Sequence, residues 1–154
     1  MERITIKRIE DFDFELIRTL CELEIENLGD EASVNQWVIP VLIRYGMVYI
    51  AEKLPGNEIA GVCQVIRSYN DPSDAFIHSF YIRPGFRGKK VGKLLLKGVI
   101  NKLRSDDVKK VHLTVDSKNI SAVALYSFFG FERSGIRKDE YGRGINRDLY
   151  MLTL

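Results

Sequence analysis

The stretch Tyr81-Ile82-Arg83-Pro84-Gly85-Phe86-Arg87-Gly88-Lys89-Lys90-Val91-Gly92-Lys93 joins two segments of different period. Before it, Ala75 to Ile82 alternates Phe76, His78, Phe80 and Ile82 against Ile77, Ser79, Tyr81 and Arg83, which is the period of a strand. After it, Val91, Leu94, Leu95, Val99 and Leu103 share one face of a long helix. Glycines where a helix opens let the backbone approach a ligand, and the first helical amides have no internal partners. With the helix dipole they form an anion site, to which Arg87, Lys89, Lys90 and Lys93 add charge. A pyrophosphate is the natural guest. An ordinary basic helix start reads the same way when taken alone.

Two familiar phosphate motifs do not fit. A P-loop needs four residues between its glycines and Ser or Thr after its lysine. Gly88 and Gly92 enclose only three, and Leu94 follows Lys93. The dinucleotide fingerprint Gly-x-Gly-x-x-Gly does not match the spacing of Gly85, Gly88 and Gly92.

Downstream runs Asn119-Ile120-Ser121-Ala122-Val123-Ala124-Leu125-Tyr126-Ser127-Phe128-Phe129-Gly130-Phe131. Asn119 is suited to cap a short helix, and Tyr126 lies two helical turns further on, on a similar side. Without more context Tyr126 reads as a core aromatic with a wet tip.

Taken together, the two segments resemble the GCN5-related N-acetyltransferases. The first follows that family's Arg/Gln-x-x-Gly-x-Gly/Ala turn from Arg87 to Gly92, except that Lys90 stands where glycine is usual. The second matches Asn-x-x-Ala-x-x-x-Tyr-x-x-x-Gly-Phe at every letter. The motifs span about the second half of the chain, and the first half matches in element order alone.

The resemblance implies an acetyl-coenzyme A co-substrate, with no metal. Arg87, Gly88, Lys89, Lys90, Val91, Gly92 and Lys93 would hold its pyrophosphate. A backbone amide around Phe80, Tyr81 and Ile82 would hold the thioester carbonyl. Asn119 would approach the pantetheine arm, and the Tyr126 hydroxyl would protonate the leaving thiolate. His78 matches a histidine that arylalkylamine acetyltransferases carry on this strand as base. A strand histidine bonded in the core is the competing reading, and His112 is read as structural. Thr114 stands where bacterial ribosomal-protein N-terminal acetyltransferases carry a catalytic Glu, which argues against their mechanism.

For the acceptor, Glu24 falls on the apolar face of the first helix, where a carboxylate is unexpected. It could hold an ammonium group or sit at the edge of the core. Tyr141, in a glycine-flanked loop, would line the acceptor cleft or form a mobile turn. The expected reaction is direct transfer to a primary amine, of a small molecule or of a protein or peptide, in a ternary complex. The alternatives are another acyl-coenzyme A donor, a hydroxyl acceptor, or a non-catalytic coenzyme A-binding sensor on the same fold. Dimers are common in the family, so a homodimer is compatible.

The rest of the chain supplies a frame. With 154 residues and 45% apolar content it suffices for one domain with a core. Charges of 23 basic and 21 acidic residues nearly balance, against a dedicated nucleic-acid binder. No apolar run approaches the roughly 18 residues of a membrane span. The first residues alternate charged and apolar side chains and do not read as a signal peptide, and the two cysteines, Cys21 and Cys63, suggest reduced thiols. A cytoplasmic location is expected.

Strands are expected near Arg3 to Arg8, Met47 to Leu54, Ile59 to Arg67, Ala75 to Ile82 and Lys110 to Val115. Two more are expected near Phe131 to Arg137 and Asn146 to Leu154. Helices are expected over Asp11 to Leu28, over Ala32 to Arg44 with an interruption at Pro40, after the basic turn, and over Asn119 to Phe129. This order fits an α/β (α+β) fold: a mixed, mostly antiparallel sheet of about seven strands with helices on both faces.

Overall fold

A computed structural model describes residues 2–154. Its elements run β1 (Arg3–Ile9), α1 (Phe14–Leu28), α2 (Ile39–Tyr45), β2 (Met47–Leu54), β3 (Glu58–Arg67), β4 (Asp74–Ile82), α3 (Val91–Ser105), β5 (Lys110–Val115), α4 (Ile120–Phe128), β6 (Glu132–Arg137) and β7 (Arg147–Thr153). The strands form one seven-stranded sheet in the order β1-β2-β3-β4-β5-β7-β6. Antiparallel pairing joins β1 to β2, β2 to β3, β5 to β7 and β6 to β7, whereas β4 and β5 run parallel. The mixed, mostly antiparallel sheet is therefore as expected.

The described residues pack as two compact units, one of residues 2–66 and 79–99, the other of 67–78 and 100–154. In the first, Ile17, Leu20 and Leu23 of α1, Ile39, Leu42 and Ile43 of α2, and Val48, Ile50, Ile59 and Val62 of the strands form one buried cluster that includes Tyr81. Asp13 caps α1 by accepting from the Leu16 amide at 2.8 Å. In the second unit Val111, Leu113 and Val115 of β5 are buried together with Tyr126, Phe131, Tyr150 and Leu152.

Two expectations need correction. The second helix starts at Ile39, not Ala32. Pro40 does not interrupt it but sits in its first turn, where a missing N–H costs nothing and φ is already helical. On α3, Leu94 is 45% exposed, while Leu96 and Ile100 are buried beside Val91, Leu95, Val99 and Leu103. The buried arc is broader than one stripe and is centred away from Leu94.

Candidate functional site

Local backbone chemistry builds the turn after β4. The Arg83 amide donates to the Ala60 carbonyl at 2.9 Å, so pairing with β3 continues to the very end of the strand. Pro84 to Phe86 form a single 3₁₀ turn, closed by the Phe86 amide on Arg83 O at 2.9 Å. The chain then needs left-handed backbone twice, at Gly88 (φ +72°) and Lys90 (φ +63°), before α3 begins. Leu94 N donates to Lys90 O at 3.1 Å, which makes Lys90 the residue that opens the helix. A glycine is usual at this position because a Cβ is strained there. Lys90 accepts the strain and keeps its amide.

The amides of the first turn of α3 have no carbonyl earlier in the helix to meet. Nothing stands within 4 Å of a Cβ built on Gly88, so the space directly beside that residue is open. Arg87, Lys89 and Lys90 are exposed around it. Arg87 Nε donates to Ile82 O at 2.8 Å and Lys89 Nζ to Gly85 O at 2.9 Å, so these side chains also brace the turn. An open turn of amides at a helix N-terminus, ringed by cations, fits a pyrophosphate.

On β4 the expected alternation is present: Ala75, Ile77, Ser79 and Tyr81 are buried, while Phe76, Phe80 and Ile82 are half-buried and His78 is exposed. The ladder between β4 and β5 covers only Asp74–Ile77 against Lys110–Leu113. Phe80, Tyr81 and Ile82 lie beyond it. Partial desolvation holds the His78 pKa below its ordinary value, so its imidazole is neutral at pH 7. His112 pairs instead with Asp74, Nε2 to Oδ1 at 3.0 Å.

Asn119 caps α4, its side-chain oxygen accepting from the Ala122 amide at 3.2 Å. Tyr126 is only 6% exposed and its ring stands 5.8 Å from that of Phe131 at a tilted angle. Tyr141 is 51% exposed, and its hydroxyl is 2.7 Å from Thr114 Oγ1. The Tyr141 loop is ordered by Asp139, whose carboxylate accepts from the Gly144 amide at 2.6 Å and whose own amide donates to Asn146 at 3.0 Å.

Glu24 sits deeper than the core edge, with 0% of its surface exposed. Its carboxyl accepts from Gln64 Nε2 at 2.7 Å and from the Val34 amide at 3.3 Å. Burial raises its pKa, against the opposing effect of these donors. The Tyr81 hydroxyl and Ser79 Oγ are its other polar neighbours, both buried without a completed hydrogen bond. Glu24 therefore faces protein groups and not solvent. Sequence reading overlooked Gln64, the lone polar residue in the apolar run Ile59 to Ile66, which is the signal that would have found it. Among the described residues no group of three or more His, Cys, Asp or Glu could hold a metal ion. None of their helices is long and apolar enough to cross a membrane.

Residues 12–131 match the family model described as the Acetyltransferase (GNAT) family. A Bacillus subtilis (strain 168) protein assigned as a ribosomal protein bS18-alanine N-acetyltransferase is 30% identical over 134 residues, 87% of this chain and 83% of that one. The spermine/spermidine N(1)-acetyltransferase of the same organism is 29% identical over 57% of this chain and 59% of its own length. Among solved structures, a GNAT family acetyltransferase from Elizabethkingia anophelis with acetyl-CoA bound superimposes with a TM-score of 0.72. It is 19% identical, and the match covers 98% of both chains.

Proposed function

Because this chain belongs to the GNAT acetyltransferase family, we propose that it transfers an acetyl group from acetyl-coenzyme A to a primary amine by direct attack, with both reactants bound. The observation that carries this reading is the turn from Arg83 to Val91, which enters α3 through two left-handed residues, Gly88 and Lys90, and carries the exposed cations Arg87, Lys89 and Lys90. Acetyl-coenzyme A supplies the activated thioester. The reading places the enzyme in the cytoplasm.

On this reading the first-turn amides of α3, with Arg87, Lys89, Lys90 and Lys93, bind the pyrophosphate. A backbone amide among Phe80 to Ile82 polarises the thioester carbonyl, supported by the early end of the β4–β5 ladder. His78, neutral at pH 7, takes the proton that the amine must lose as its C–N bond forms. Tyr126 gives a proton to the thiolate as the C–S bond breaks, so the proton count balances. Asn119 fixes the start of the helix that carries Tyr126.

Acetyl-coenzyme A is expected to bind at micromolar concentration in calorimetry, and no binding there would refute the reading. Tyr126→Phe should lower kcat by about 10²- to 10⁴-fold, the usual size of an acid–base contribution, with little change in coenzyme affinity. Unchanged turnover would remove Tyr126 from the acid role.

A further inference from the structure

The hairpin of β6 and β7 holds a costly arrangement. Arg137 and Arg147 are directly opposite in register, so their side chains leave the same face, where like charges repel. Glu140 neutralises Arg137 at 3.2 Å. Arg147 has no carboxylate partner among the described residues. Its guanidinium donates to Asn146 O at 2.9 Å and lies 5.9 Å from the centroid of the Tyr141 ring. The loop's other two cations, Lys138 and Arg143, are exposed.

Register places this arginine on a particular face. Leu149, two residues after Arg147, is opposite Thr114 of β5. His112, two residues before Thr114, is opposite Phe76 of β4. Stepping two residues forward from Phe76 gives His78, one position past the last registered pair, Ile77 with Leu113. Residues at this spacing share a face. His78, Thr114, Leu149 and Arg147 therefore lie on one side of the sheet, with Tyr141 folded onto it through the 2.7 Å bond to Thr114. Strands about 5 Å apart put β7 about 10 Å from β4, and the two residues from Leu149 to Arg147 add about 7 Å along the strand. The backbones of His78 and Arg147 thus stand about 12 Å apart, a distance that a substrate held between a histidine and an arginine can bridge.

We infer that Arg147, positioned by Tyr141, binds a carboxylate on the acceptor, so that the substrate is a small amino-acid-like amine and not a polyamine. The inference rests on the acetyl-transfer reading above. An unpaired guanidinium matches a carboxylate in a bidentate way. A polycation would instead meet Arg147 with like charge. The Tyr141–Thr114 bond fixes the ring beside the guanidinium, which limits the directions Arg147 can take.

The test uses the whole chain with acetyl-coenzyme A and follows thiol release with matched acceptors: free amino acids, their carboxamides, and spermidine. The expected kcat/KM is about tenfold or more higher for the carboxylates than for the carboxamides, the size of a charge-assisted hydrogen bond. Arg147→Gln should bring that ratio near one, chiefly by raising the carboxylate KM, and Arg147→Lys should restore part of it. Equal rates for acid and amide, or a preference for spermidine, would overturn the inference while leaving acetyl transfer intact. A rise in acetyl-coenzyme A KM with the acceptor ratio preserved would assign Arg147 to the coenzyme phosphates, and would overturn it too. Absence of thiol release with every one of these amines would defeat both this inference and the reading beneath it.

Discussion

Lys90 holds a left-handed backbone conformation, φ +63°, that costs a residue with a Cβ about 1 to 2 kcal/mol. Lys90→Gly should therefore raise unfolding stability by about 0.5 to 1 kcal/mol, since the gain is partly offset by glycine's greater unfolded entropy. Lys90→Ala keeps the strain and should not, so urea titration of the two variants separates backbone from charge. His78 makes a pH prediction. A base works when neutral, and desolvation lowers its pKa from 6.5. The acid limb of kcat/KM should fall below that value, and His78→Gln should abolish it. Glu24 shifts the other way. Burial raises its pKa above 4.5, so the folded state binds the proton more tightly than the unfolded chain. Its contribution is full below the ordinary carboxylate range and is lost as pH rises through the folded pKa. Stability of the wild type should fall across that window, and Glu24→Gln should flatten the fall. The asparagine cap and the basic turn were readable from sequence because both depend on local chemistry. The depth of Glu24 was not, because its partner Gln64 is forty residues away.

At the scale of elements, the closest approach behind the turn is at Gly61 of β3. A Cβ there would stand 2.9 Å from the Tyr81 carbonyl oxygen and would overlap Ile82 Cδ1. The isoleucine can rotate away, but the carbonyl belongs to the strand and cannot. Gly61→Ala is thus expected to cost about 1 to 3 kcal/mol, the range for overpacking, and to weaken acetyl-coenzyme A binding by displacing the end of β4. A thermal melt read beside a binding titration checks both parts. Leu96→Ala, at a site with 0% exposure on α3, should cost about 2 to 5 kcal/mol. The period of α3 was plain in the sequence, yet it could not assign Leu94 and Leu96 to the correct sides. Their difference depends on how wide an arc the neighbouring elements cover. Likewise Pro40 announces a helix boundary, and only the structure tells that the helix begins there.

At the scale of the whole molecule, strand order is where tertiary pairing adds most to the sequence pattern. Seven strands are expected from the sequence, but the placement of β7 between β5 and β6 follows from long-range register. That placement sets Arg147 and Thr114 on one face, and neither residue carries a motif. On the proposed function the basic turn serves acetyl transfer to an amine. The most direct measurement incubates the protein with acetyl-coenzyme A and a panel of amines, reading free thiol and acetylated product by mass in the same sample. Equal amounts of thiol and acetylated amine are predicted, whereas bound acetyl-coenzyme A that survives intact with every amine would contradict the account.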